Sequence, residues 1–274
     1  MPPPIQLIST DFDGTIFAEF ENPPIAREFQ ELIAELQADG AKWVINTGRD
    51  MSSLMETLAR AKVTIQPDYL VLVEREIQVH DGVRYAGLEE WNSACTRAHE
   101  ELFVRVREDV PRIADWINAR FQATVYSDPY SPFCLIAGNN KDADVINAFL
   151  ETYCRSIPNL VPVRNDVYVR FSHAAFNKGT ALAELSRRLG IGAESVFAAG
   201  DHLNDLPMLN PRFARWLGGP RNAIPSVKHQ LQQHGGLISD LPHACGTTEV
   251  LRECLQRAGA KTPDDSPVTA KQMN

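Results

Sequence analysis

The sequence predicts an α/β fold: an open parallel sheet wound with crossover helices, into which a separate α+β unit is inserted. Three observations carry that prediction. Short apolar runs alternate with helical periodicities at both ends of the chain, from residue 5 to about 73 and again after Phe176. Strands alternating with helices need crossover connections and therefore a parallel sheet. Three polar turns, Asp11 to Thr15, Thr47 to Asp50 and Asp201 to Asp205, each follow such an apolar run. The stretch between these two parts reads instead as strand pairs with helices on one side.

Ile5 to Ile8 is a buried first strand. Pro23 and Pro24 can open a helix in which Ile25, Phe29, Leu32, Ile33 and Leu36 recur at helical spacing, and Gly40 stops it. Lys42 to Asn46 is the next strand, followed by a helix with Leu54 and Leu58 on one face and by the strand Tyr69 to Val73. Asp81-Gly82, flanked by Ile77 to His80 and Val83 to Tyr85, is a strong two-residue hairpin signal. A helical region spans about Trp91 to Ala119, with a break near Pro111. Strands are expected at Thr124 to Ser127, Phe133 to Ala137, Leu160 to Arg164 and Val167 to Phe171, with a helix from Asp142 to Cys154 between the pairs. The crossover pattern then resumes. A helix runs from Gly179 to Leu189, and strands at Ser195 to Ala199 and Arg212 to Leu217 flank a short helix at Asn204 to Leu209. Thr247 to Arg257 forms the last helix. The organisation expected is a discontinuous core, 1–80 and 172–260, an inserted domain, 81–171, and a disordered polar tail, 261–274.

The chain has 274 residues, a hydrophobic fraction of 44% and a charged fraction of 23%, which suits an ordinary globular protein with ample core. A net charge of -8, with no Lys/Arg run, argues against nucleic acid as a partner. No apolar stretch approaches a membrane span, and the N-terminus lacks a secretory pattern. Five cysteines without a CxxC pair fit reduced thiols, so a cytoplasmic protein is expected. Seven histidines show no zinc spacing, and there is no GxSxG elbow. Nothing bears on assembly beyond a monomer or homodimer.

Asp11 and Asp13 stand two apart behind the first strand, so their side chains leave it together. Taken alone, such a pair reads as a solvated turn. Ligands of open parallel sheets, however, bind outside the carboxyl ends of the strands. All three polar turns can therefore converge on one cleft. Lys178, at a helix start, opposes the helix dipole unless an anion lies nearby. The cleft would then hold Asp11, Asp13, Asp201 and Asp205, with Thr47 and Lys178 as donors. So many carboxylates around a phosphate require a cation, and all-oxygen ligation indicates magnesium. Arg49 could steer a phosphate or cap a helix, and His202 could line the cleft or simply be a satisfied polar neighbour. Arg164, Tyr168 and Arg170 alternate on a strand pair that faces either substrate or solvent.

These four segments resemble the motifs of the haloacid dehalogenase superfamily. Asp11-Phe12-Asp13-Gly14-Thr15 matches its DxDGT signature, and Asn46-Thr47-Gly48-Arg49 is similar to its second motif. Lys178 stands where the motif lysine would, and Gly200 to Leu209 matches the GDxxNDxxML form. The insertion resembles the α+β cap of subfamily IIB, which includes Cof-like and sucrose-phosphate phosphatases. The resemblance implies a Rossmann-like core and a magnesium-dependent phosphatase acting on a small phosphorylated metabolite, a sugar or polyol phosphate. It implies Asp11 as nucleophile and Asp13 as acid and base. Thr47, Gly48, Arg49 and Lys178 would bind the phosphate, and Asp11, Asp13, Asp201, Asn204 and Asp205 would hold or orient the metal. The alternatives are a phosphomutase of the phosphomannomutase kind and a non-catalytic binding module. Dehalogenase chemistry is disfavoured, because those relatives lack an aspartate where Asp13 stands. One departure concerns specificity: many IIB relatives follow the third core strand with an Asn-Gly turn, and here Glu74-Arg75-Glu76 takes its place.

Overall fold

The computed structural model describes residues 3–260. An eight-stranded mixed sheet forms the larger layer. Its parallel strands are β1 (Leu7–Thr10), β2 (Lys42–Asn46) and β3 (Tyr69–Leu72), and on the other side of β1 three more described below. Helices α1 (Arg27–Ala38) and α2 (Met51–Arg60) make the first two crossovers. After β3 the chain turns back antiparallel through β4 (Glu76–His80) and β5 (Tyr85–Gly87), which close that edge.

The insertion then begins with α3 (Glu89–Val106) and α4 (Val110–Asn118). A four-stranded antiparallel sheet follows, built from β6 (Ala123–Asp128), β7 (Ser131–Ala137), β8 (Leu160–Asn165) and β9 (Tyr168–His173) in the order β6-β7-β9-β8, with α5 (Asn140–Cys154) between β7 and β8. The chain returns to the large sheet through α6 (Lys178–Leu189), β10 (Val196–Ala199), β11 (Trp216–Gly219), α7 (Pro225–Gln233), β12 (Leu237–Ile238) and α8 (His243–Gly259). The full order is β12-β11-β10-β1-β2-β3-β4-β5.

Alternation along the strands sorts the core into two layers. Ile8, Trp43 and Phe197 face one side with Phe29, Ile33 and Leu251, whereas Leu7, Val44 and Val196 face the other with Leu182, Leu185 and Leu231. The cap has its own core, with Phe133, Leu135 and Phe171 from its sheet packed on Ile113, Ile117, Ile146 and Leu150.

Several expectations shift in detail. The hairpin at residues 76–87 stays on the large sheet, so the insertion starts at α3 rather than at residue 81, and β9 runs to His173. The segment at 204–209 is a single 3-10 turn, Leu203–Asp205, followed by further turns. The strand expected at 212–217 lies at Trp216–Gly219, because Phe213 and Ala214 are tied back to Asn210 in a turn. A helix and a strand went unforeseen. The helix α7 is polar apart from Val227 and Leu231, and β12 is two residues long, so neither has a periodicity to read. The expected disordered tail lies outside the described residues.

Candidate active site

Parallel pairing places the first carboxylate. The Asp11 N–H donates to the Ala199 carbonyl at 2.9 Å, which extends the β1–β10 ladder to the strand's end. Asp11 is only 4% exposed. Phe12, pointing the other way, stacks on Phe17 with ring centroids 4.9 Å apart. Gly14 then turns the chain with φ +78°, and a Cβ there would lie 2.3 Å from Asp201 Oδ2. Both the backbone conformation and the space therefore demand glycine.

The second strand end brings Asp201, whose Oδ1 accepts from the Thr15 hydroxyl at 2.9 Å. Four residues on, Asp205 folds back so that its Oδ2 accepts from the N–H groups of Asp201 (2.8 Å) and His202 (2.9 Å). Its Oδ1 takes a bond of 2.6 Å from Lys178 Nζ, which also donates to Asp11 Oδ1 at 2.6 Å. Lys178 opens α6, and the Asn177–Thr180 capping box and a bond from Asn46 Nδ2 to its carbonyl fix it there. The ammonium is fully buried. Burial alone would lower its pKa, but the Asp11 and Asp205 carboxylates raise it above the ordinary value. Lys178 therefore stays charged.

Three carboxylates and one ammonium leave the cluster short of positive charge. Burial, followed by the charge of Asp205, pushes Asp11 well above the usual carboxylate range, with Lys178 opposing. Burial and Asp205 likewise raise Asp201 to about 7. One oxygen each of Asp11, Asp201 and Asp205 lie within 4.8 Å of one another, close enough to ligate one cation. Asn204 lies buried at the rim, with its Nδ2 donating to Glu74 Oε1 at 2.9 Å and its Oδ1 without a partner among the described residues. An all-oxygen set with excess negative charge and a spare carbonyl oxygen fits a hard divalent ion.

The loop after β2 completes the floor. Thr47 is buried, and its Oγ1 accepts from the Arg49 N–H. Gly48 approaches Glu74 so closely that a Cβ would lie 3.3 Å from Oε1. Arg49 does not stand free for a phosphate. Its Nε and Nη2 grip both oxygens of Asp13 (2.8 and 2.6 Å), and its Nη1 donates to Ser53 and Thr57. Asp13, Gly48, Arg49, Glu74 and Asp201 line one cleft of about 1090 Å³, which the cap sheet covers.

Sequence reasoning missed three contributors. Glu74 is buried at φ +68°, just after Val73 at φ +44°, a conformation costly for both residues. Asn222 Nδ2 and His243 Nδ1 both bond the Gly14 carbonyl, at 2.7 and 3.0 Å. Gly218-Gly219-Pro220, a strand-end turn on the same edge, was the available signal for Asn222. Among the cap residues, Arg164 is committed. It pairs with Asp144 and donates to Asn140 Oδ1 and the Asp166 carbonyl. Arg170 and Tyr168 line the cleft, and the ring of His202 accepts from the Asp166 N–H at 3.2 Å.

Two family models match overlapping parts of the chain, sucrose-6F-phosphate phosphohydrolase at residues 4–126 and haloacid dehalogenase-like hydrolase at 115–230. Together the two matches span residues 4–230, and over that range the chain is similar to haloacid dehalogenase-like hydrolases of subfamily IIB. The chain is 23% identical over 219 residues to the 5-amino-6-(5-phospho-D-ribitylamino)uracil phosphatase YcsE of Bacillus subtilis, covering 75% of the chain and 80% of that protein. Its fold is similar to that of the sucrose-phosphatase of Synechocystis sp. PCC6803, solved with sucrose and phosphate. The TM-score is 0.70 at 20% identity, over 91% of this chain and 98% of that one. SMU.1108c of Streptococcus mutans UA159 is also similar, with a TM-score of 0.63 at 18% identity, over 92% and 99%. Both likenesses span core and cap together.

Proposed function

We propose that the protein is a magnesium-dependent phosphatase of a small phosphorylated metabolite, a sugar or polyol phosphate, working through an aspartyl-phosphate on Asp11. One observation carries this reading: the buried Lys178 bridges Asp11 and Asp205 next to Asp201, and Asp201 lines one cleft together with Asp13. The Asp11 carboxylate attacks phosphorus, forming one O–P bond as the ester O–P bond breaks. Asp13, once an oxygen is released from the Arg49 fork and carries a proton, gives that proton to the leaving oxygen. It later takes a proton from the water that attacks the Asp11 adduct. Lys178 has a third N–H left for the transferring group, and Thr47 offers a hydroxyl; both would hold its equatorial oxygens.

Asp11 and Asp201, with the Asp13 backbone carbonyl, would hold the magnesium, while Asp205 and Asn204 orient that set. The bound ion would neutralise the excess charge of the carboxylates and of the phosphoryl group. That two relatives are named as phosphatases of phosphorylated polyhydroxy compounds supports the substrate class.

A panel of phosphorylated metabolites, assayed for phosphate release with magnesium and with EDTA, tests this. Release is expected only with the metal, and Asp11→Asn should abolish it while leaving the thermal unfolding transition in place. Release at the parent rate from Asp11→Asn would displace the nucleophile. Isomerised sugar phosphate without net release would favour a mutase.

A further inference from the structure

The cleft has an acidic floor and a different roof. On the roof, Tyr126, Cys134 and Arg170 stand in register across β6, β7 and β9, and Tyr168 lies two residues from Arg170 on the same face. All four line the cleft. Tyr126 and Tyr168 are 39% and 52% exposed, unusual for large rings unless something covers them.

Arg170 is the anomaly. The neighbouring roof charges are satisfied: Arg164 pairs with Asp144, and Asp166 accepts from Asn140 at 2.6 Å. Among the described residues, the Arg170 side chain makes no ion pair and no hydrogen bond, and its Nη1 is buried without a partner. A second guanidinium, that of Arg75, is also held by neutral groups alone, the Tyr130 carbonyl at 2.7 Å and the Ser172 hydroxyl at 3.4 Å. Its Nε too has no partner. Burial, and then the nearby charge of Arg170, act to hold Arg75 below its ordinary value, against nearby acidic groups. Neither guanidinium hydrogen-bonds a carboxylate, and buried donors left unpaired are costly unless a ligand supplies the acceptor.

We propose that the roof is an anion subsite in which Arg170 holds a second anionic group of the substrate, a carboxylate or phosphate, while the ester phosphate sits at Asp11. A guanidinium fork matches either group with two parallel bonds. The Tyr126 and Tyr168 phenols flank it as further donors. The preferred substrate is then a doubly anionic phosphomonoester, a sugar-acid phosphate or a bisphosphate, rather than a neutral sugar phosphate. This rests on the phosphatase reading for the position of the ester phosphate.

The test uses full-length Asp11→Asn protein with magnesium, so that ligands bind without turnover. Calorimetry would compare glycerol phosphate with phosphoglycerate, glucose phosphate with phosphogluconate, and fructose phosphate with fructose bisphosphate. The second member of at least one pair should bind roughly 10- to 100-fold tighter. The second and third pairs separate carboxylate from phosphate as the favoured group. Adding Arg170→Gln should erase that gain and leave the singly anionic ligands within about twofold, and Arg170→Lys should restore part of it. If no pair shows the gain, or if Arg170→Gln weakens every ligand alike, the subsite is wrong. A parent enzyme that releases no phosphate from nitrophenyl phosphate or any ester, yet shows the Arg170-dependent gain, would sink the phosphatase reading and leave the subsite standing.

Discussion

Asp13 is gripped at both oxygens by the Arg49 fork, and the Arg49 guanidinium in turn lies 5.4 and 5.7 Å from the ring centroids of Phe12 and Phe17. The fork occupies both oxygens that could carry a proton, so Asp13 must turn out of it before it can serve the leaving oxygen as an acid. Protonation helps most where the leaving group is poor, as in a sugar phosphate, and least where it leaves as a stabilised phenolate. Asp13→Ala should therefore slow phosphoenzyme formation from a sugar phosphate on the order of 10² to 10⁴-fold, and from nitrophenyl phosphate by much less. Single-turnover measurement of the Asp11 adduct is needed, because Asp13 also serves as base in its hydrolysis. Equal slowing of the two substrates would mean that Asp13 only shapes the metal site.

At the scale of elements, α3 and β9 are joined by one buried histidine. His99 Nδ1 donates to the Cys95 carbonyl at 2.8 Å, and Nε2 accepts from the His173 N–H at 3.0 Å. Both ring nitrogens are used by the neutral form. Burial, followed by the charge of Arg75, lowers its pKa from 6.5 to about 3. The sign follows from which state takes up the proton. Between about 6.5 and about 3 the unfolded chain binds a proton at this position and the native one does not. The stabilisation is thus complete above the upper value and is lost as pH falls toward the lower one. Unfolding free energies from urea titrations at pH 7 to 4 should fall with a component of at most about 1.4 kcal/mol per pH unit that His99→Gln removes. Identical pH slopes for parent and variant would show that His99 is not the group responsible.

For the whole molecule, what matters is how the cap meets the core. The β8–β9 turn rests on the loop that carries Asp201, through the Asp166 N–H and the His202 ring. A cap that must close over the phosphoenzyme and open for water and product would make and break this contact. His202→Ala is expected to raise KM several-fold for a substrate large enough to touch the cap. For nitrophenyl phosphate, which need not reach the roof, little change is expected. A uniform loss of kcat on both would instead place His202 in the chemistry. Excising the cap to test its role would have to spare β5, an edge strand of the large sheet.

The alternation of strands and helices, the strand-end turns and the carboxylate floor were legible in the sequence, because each is written locally. A strand shows its period within a few residues, and Asp11, Asp13, Lys178, Asp201 and Asp205 lie in short motifs whose spacing is itself the signal. The insertion was legible as a change of pattern, although its edges were not, since strand membership depends on which neighbour supplies the hydrogen bonds. Tertiary structure alone decided the rest. Arg49 turned out to be spent on Asp13, Arg164 on Asp144 and Asn140, while Arg170 kept a buried nitrogen unpaired. In sequence these are three arginines of equal standing. A guanidinium's role is set by which acceptors lie within about 3 Å of it, and those partners stand from 2 to 36 positions away along the chain.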